Sequence, residues 1–125
     1  MVKSILIVGL GGFIGTASRY LISRHFQLHY DSSFPWDTFL INIAGSLLIG
    51  LFFGIAEKGN LLSHEWRIFL TVGLCGGFTT FSSLSHEAFI LLQNNEFWRF
   101  AIYSGLSFIL GLFAVFLGRY IIEIL

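Results

Sequence analysis

Apolar residues run along this chain in four stretches separated by short polar connectors. The first extends from about Ser4 to Ile22, the second from about Trp36 to Ala56, the third from about Trp66 to Leu92 and the fourth from about Phe97 to Ile124. A helix needs roughly 20 apolar residues to cross the hydrocarbon core of a bilayer, so each stretch predicts a membrane-spanning helix. The connectors are Ser23 to Pro35, Glu57 to Glu65 and Gln93 to Glu96. Pro35 suits the entry to the second helix, where a missing N–H costs little. Trp36, Trp66 and Trp98 fall at the ends of stretches, where indole rings favour the membrane–water interface.

The third stretch is too long for a straight span, and its middle reads Cys75-Gly-Gly-Phe-Thr-Thr-Phe-Ser-Ser83. Gly costs about 1 kcal/mol against Ala inside a helix, and Thr loses rotamer freedom there. The pattern predicts a helix broken mid-membrane. Backbone groups freed in hydrocarbon cost several kcal/mol each unless protein, ion or water satisfies them, so the break is the first place to look for function.

Composition agrees with the pattern. Of 125 residues, 55% are hydrophobic and only 11% charged, against about 25% charged in a typical soluble domain; mean hydropathy is +0.81. Four spans fill the chain, so residues 1–125 read as a single transmembrane domain in an all-α membrane protein. Lys3 and the apolar run after it would fit a cleaved signal peptide, but Arg19 and three further spans favour a retained helix. The single cysteine, Cys75, permits no disulfide within one chain. Zero net charge argues against nucleic acid and against a polybasic lipid anchor.

Four spans place Lys3, Lys58, Arg67 and Arg119 on one side of the membrane and Arg19, Arg24 and Arg99 on the other. The positive-inside rule needs a clear Lys/Arg excess, and this balance supplies almost none. Either other features set the orientation, or the chain inserts both ways and pairs antiparallel.

Several polar residues lie within the spans. Thr38, Asn42 and Ser46 recur at i, i+4 and i+8 and share one helix face. Gly45, Gly50 and Gly54 let neighbouring backbones approach. Asn42 reads either as interhelical glue or as a neutral donor to an anion. Thr80, Ser83 and Glu87 form a second polar stripe beyond the break, with Phe81 and Leu84 on an adjacent face. An aromatic here is packing by default, although a ring edge is electropositive and can face an anion. Glu87 is a functional candidate because acidic groups in spans are rare, unless it reaches the interface. His86 has no second His or Cys at ligand spacing. Tyr103 and Ser107 share a face of the fourth span with Gly111, and Ser107 alternatively bonds back to its own helix. Gly9, Gly11, Gly12 and Gly15 form a close-packing surface; no strand–helix context supports a nucleotide fingerprint. Arg19 marks a vestibule or the water boundary. No paired carboxylates, Ser-His-Asp set or clustered metal ligands occur, so a pore or carrier is favoured over an enzyme.

Three motifs carry a family resemblance: Gly11-Gly-Phe-Ile-Gly15 followed by Arg19-Tyr20; Thr38-Phe-Leu-Ile-Asn42-Ile-Ala-Gly45-Ser46; and Gly73-Leu-Cys-Gly-Gly-Phe-Thr-Thr-Phe-Ser82. Through them the whole chain resembles the Fluc fluoride channels, also called CrcB-type proteins. The resemblance implies a four-helix subunit in an antiparallel, dual-topology homodimer of the bacterial inner membrane. It implies passive, selective fluoride export that confers fluoride resistance. Asn42 and Phe81 would line the anion path, with Thr38, Ser83, Tyr103 and Ser107 as polar-track candidates and Arg19 in the vestibule. The break would hold a structural sodium ion at the dimer centre through the backbone carbonyls of Gly76 and Thr79 of both subunits. Two departures stand out: Leu84 occupies the position of the family's second pore phenylalanine, and Gly111 one where relatives often carry a hydroxyl.

Two other functions fit a chain of this size. A small proton-coupled multidrug exporter also has four spans, but relies on an acidic residue in its first helix, and Ser4 to Ile22 contains none. A non-transporting assembly subunit is the third possibility.

Overall fold

The computed structural model describes residues 1–59 and 61–125, so the Glu57–Glu65 connector is described except at Asn60, which lies outside the described residues. The described residues are helical, without strands. In chain order they form α1 (Val2–His29), α2 (Trp36–Glu57), α3 (His64–Ile68), a wide π-helical stretch (Phe69–Cys75), the single turn α4 (Gly76–Phe78), α5 (Phe81–Gln93) and α6 (Phe97–Ile124). Val2–His29, Trp36–Glu57, His64–Gln93 and Phe97–Ile124 are long and apolar enough to cross a membrane. Large apolar side chains cover their outer faces: Phe13, Leu21, Phe108, Phe113 and Phe116 are all exposed. Lipid tails solvate such faces without penalty, which makes the chain a multi-pass membrane protein.

The first helix continues to His29, seven residues past the apolar run ending at Ile22. Polarity ends the lipid-facing stripe but does not end a helix, and no Gly or Pro intervenes before Pro35. Pro35 lies just outside α2 and caps it. Ser63 caps α3, its hydroxyl accepting from the Trp66 N–H. Asn95 adopts a φ of 59° in the tight reversal between α5 and α6, a left-handed conformation Asn tolerates better than most residues.

Two helix pairs make up the bundle. α2 packs along α6, and α1 packs along the π-helical stretch and α4. Glycines allow both. A Cβ on Gly50 would lie 2.2 Å from the Val115 carbonyl oxygen, and one on Gly118 would lie 2.4 Å from that of Leu47. A Cβ on Gly15 would lie 2.2 Å from the Leu74 carbonyl oxygen, and one on Gly77 would lie 2.5 Å from that of Gly12. Close approach of this kind substitutes for the hydrophobic drive that lipid removes. A core of Phe39, Ala88, Leu91 and Tyr103, with Phe34, Ile43, Leu84, Phe100 and Leu110 around it, ties α2, α5 and α6 together. At one end, Arg99 donates to Ser33 and pairs with Glu96 at 2.6 Å, clasping the α1–α2 connector to the α5–α6 reversal.

These contacts predict a contrast between two glycines. Gly50→Ala forces its methyl into backbone and should destabilise by about 1–3 kcal/mol. A Cβ at Gly105 meets nothing within 4 Å, so Gly105→Ala should be neutral or stabilising by up to about 1 kcal/mol. Thermal unfolding of the detergent-solubilised protein checks both, and equal midpoints for the two variants would contradict the packing.

Candidate functional site

The third span leaves helical geometry at Thr79 and Thr80 and not at the glycines before them. Cys75 and Gly76 keep helical dihedrals, whereas Thr79 (φ −86°, ψ 158°) and Thr80 (φ −152°, ψ 126°) are extended. The reason is steric on both counts. Gly77 is needed small because α1 lies against it, while β-branched threonines accept extended backbone readily. Thr80 also caps α5, its Oγ1 accepting from the Ser83 N–H at 3.2 Å. It therefore sits at the helix start instead of on the helical stripe expected with Ser83 and Glu87.

Asn42 reaches across from α2 and holds the interruption. Its Oδ1 accepts from the Thr80 N–H at 2.9 Å, and its Nδ2 donates to the Thr80 carbonyl at 3.0 Å. The reverse amide orientation would oppose donor to donor and acceptor to acceptor, so the pairing fixes how the amide points. One N–H of the amide remains uncommitted. Gly45, one turn on, makes room: a Cβ there would lie 2.2 Å from the Thr79 methyl.

The fate of the remaining backbone groups is specific. In an unbroken helix Gly76 would accept from Thr80 and Thr79 would accept from Ser83. Both donors are diverted, to Asn42 and to the Thr80 hydroxyl. The Gly77 carbonyl instead accepts from Arg19 Nε at 3.2 Å and Thr16 Oγ1 at 3.4 Å. Cys75 accepts from both the N–H and the hydroxyl of Thr79, each at 2.9 Å. Gly76 and Thr79 are thus left with carbonyls that have lost their helical donors. Carbonyl oxygens are the ligands a hard cation takes, so the residues present fit a bound sodium ion. Among the described residues no group of three or more His, Cys, Asp or Glu side chains is placed to hold a metal.

Two cavities flank the clamp. One, of about 300 Å³, is lined by Asn42, Gly45, Ser46, Ile49, Cys75, Thr79, Thr80, Phe81 and Leu84. Phe81, 80% exposed, presents its ring at the rim, whereas Leu84 also packs against the core. The other, of about 450 Å³, brings Arg19, Thr38, Ser83 and Glu87 together with Asp37, Ser82 and His86. There the Thr38 hydroxyl donates to Glu87 at 2.6 Å. The two polar stripes read separately from the sequence are therefore joined twice, at Asn42–Thr80 and at Thr38–Glu87. Arg19 lines this cavity while its Nε holds the interruption.

Tyr103 and Ser107 line neither cavity. Both are buried, and the hydroxyls of Tyr103, Ser104 and Ser107 have no hydrogen-bond partner. Ser107 does not bond back to its own helix. Sequence reading missed Thr16, Asp37 and Ser104. Thr16 stands one turn before Arg19 on the same face, a spacing that could have flagged it; Ser104 stands next to Tyr103 and off the i, i+4 face, and nothing in the pattern marked it.

The CrcB-like protein family, described as "CrcB-like protein, Camphor Resistance (CrcB)", matches residues 6–119. The chain belongs to that family. A family protein of Flavobacterium psychrophilum is 47% identical over 116 residues, 93% of this chain and 94% of its own length. One of Bacteroides fragilis is 44% identical over 124 residues, 97% of each. One of Thermus thermophilus is 47% identical over 113 residues, 90% of each. All three are named fluoride-specific ion channel FluC. The family is one of ion channels and not of enzymes.

The clamp generates a prediction. Asn42→Ala leaves the Thr80 N–H without a partner, at a cost of about 1–3 kcal/mol, while the Thr80 carbonyl, at the N-cap of α5, keeps the first bond of that helix. The variant should therefore unfold at a clearly lower temperature in detergent than the wild type. An unchanged midpoint would show that the clamp does not hold the interruption.

Proposed function

We propose that this protein is a fluoride-selective channel that lets fluoride leave the cytoplasm passively across the bacterial inner membrane. The observation that carries the reading is near full-length identity of 44–47% to bacterial proteins named fluoride-specific ion channels. The positions of several neutral donors support the reading. Neutral donors replace water around the anion: the uncommitted N–H of Asn42, the ring edge of Phe81 and the orphaned hydroxyls of Tyr103 and Ser107. Filters generally exchange hydration for protein ligands in this manner. Leu84 adds shape but no quadrupole to that wall. Ser83 and Arg19 belong to the vestibule side. Thr38 shares it, with its hydroxyl proton committed to Glu87 of the same cavity.

The reading extends to assembly. The interruption lies at membrane depth, and the channel forms from two copies in antiparallel orientation. Support comes from the Lys/Arg balance and from the exposed side of the interruption, where Gly76 and the Phe81 ring face outward. The carbonyls of Gly76 and Thr79 from both copies would hold a structural sodium ion, which would supply fixed positive charge at the centre of the assembly. Neither rival finds support: α1 carries no Asp or Glu for proton coupling, and an assembly subunit without transport is at odds with relatives named as channels.

Purified protein in liposomes, with external fluoride read by an ion-selective electrode, tests the function. Fluoride should leave along its gradient while chloride does not; equal flux of both would end the selectivity claim. Phe81→Ile should cut fluoride flux by about tenfold or more, equivalent to about 1.4 kcal/mol on the barrier, with the assembly intact by size-exclusion chromatography. Unchanged flux would remove Phe81 from the path.

A further inference from the structure

Beyond the apolar run of the first span, α1 carries His25 and His29 one turn apart. The helical continuation past Ile22 is what brings them onto one face, since residues at i and i+4 are neighbours only while the chain stays helical. Their rings lie side by side, centroids 4.3 Å apart and planes 29° from parallel. Both side chains are exposed. A second observation concerns the ring nitrogens. His29 Nδ1 lies 2.9 Å from the His25 carbonyl oxygen. A carbonyl can only accept, so Nδ1 carries the proton and Nε2 is left with its lone pair. Metal-ligating histidines are oriented in this manner, the second ring nitrogen donating to a carbonyl or carboxylate.

We propose that His25 and His29 form a binding site for a borderline divalent transition-metal ion, of the class of Zn²⁺, Ni²⁺ or Cu²⁺. Neutral imidazoles suit these ions, and paired His residues one helical turn apart are a known way of holding one. Two nitrogens bound to one metal at about 2.1 Å put their ring centres about 4.5–5.3 Å apart, so the rings need to part by up to about 1 Å from their present 4.3 Å. No third His, Cys, Asp or Glu joins the pair among the described residues, so water completes the coordination and the ion exchanges freely. The ion would bridge the last turns of α1. Phe26, Gln27 and Tyr30 of the same turns line a cavity of about 230 Å³ that also includes Asp37 and Glu87, so a divalent charge would sit beside that opening.

The site is independent of the channel reading and is tested by binding alone. Tag-free protein in detergent is titrated with Ni²⁺ by calorimetry. Saturable binding of one ion per chain is expected. His25→Ala and His29→Ala should each weaken it by at least about tenfold, the scale of loss when a metal site is disturbed. The His64→Ala/His86→Ala double variant should bind as the wild type does. Because His25 and His29 are exposed, both single variants should keep their helical circular dichroism. Absence of saturable binding, insensitivity to either single substitution, or loss in the double variant would each overturn the proposal.

Discussion

The two hydrogen bonds between the Asn42 amide and the backbone of Thr80 are the interaction around which the rest of this protein is arranged. A span that stops being helical releases donors and acceptors that its own helix no longer satisfies. One primary amide offers both an acceptor and a donor in a single plane, so it replaces the acceptor the Thr80 N–H has lost and adds a second donor to the Thr80 carbonyl. No hydroxyl or carboxylate does so with the same geometry: a carboxylate lacks the donor, and a hydroxyl has one proton to place. The clamp also takes from the Gly76 carbonyl its helical donor, the Thr80 N–H, which links α2 to the chemistry of the third span.

Close packing positions that clamp. α2 can present Asn42 at the interruption because Gly45 leaves space for the Thr79 methyl. α1 can bring Arg19 and Thr16 to the Gly77 carbonyl because Gly15 and Gly77 let the backbones nearly touch. A guanidinium that caps a carbonyl with Nε keeps its charge at the cavity wall without being free to wander. Arg19 thus has a packing role and an electrostatic one from a single placement. The π-helical turns before the interruption belong to the same region. There Thr71 donates back to the Arg67 carbonyl at 2.7 Å, a bond that competes with regular helix geometry.

Polar groups in the bundle fall into two kinds. Some are committed to partners, such as the Thr38 hydroxyl, the Thr79 hydroxyl that donates to Cys75, and the N–H and carbonyl of Thr80 held by Asn42. Others are buried and unpaired, at Tyr103, Ser104 and Ser107. Buried unpaired hydroxyls cost about 1–3 kcal/mol each, and a fold keeps them where a ligand or water compensates. That division separates residues that hold the interruption from residues whose hydroxyls have no protein partner.

The number of spans, the membrane class and the location of the interruption follow from the sequence alone, because lipid imposes one rule on every segment: satisfy the backbone internally and face the tails with apolar side chains. The motifs around Gly11, Asn42 and Gly73 likewise suffice to place the chain in its family. Tertiary structure decided the rest. That the threonines and not the glycines leave helical geometry depends on α1 pressing against Gly77, a contact between residues far apart in the chain. Asn42 reads equally as glue or donor until Thr80 is seen opposite it. The union of Thr38 with Glu87, and of Arg19 with Gly77, joins residues 49 and 58 positions apart, and no local periodicity reports on such pairs. The His25–His29 face needed the helix to outlast its apolar run. Hydropathy measures where lipid ends, and only the backbone itself shows where the helix does.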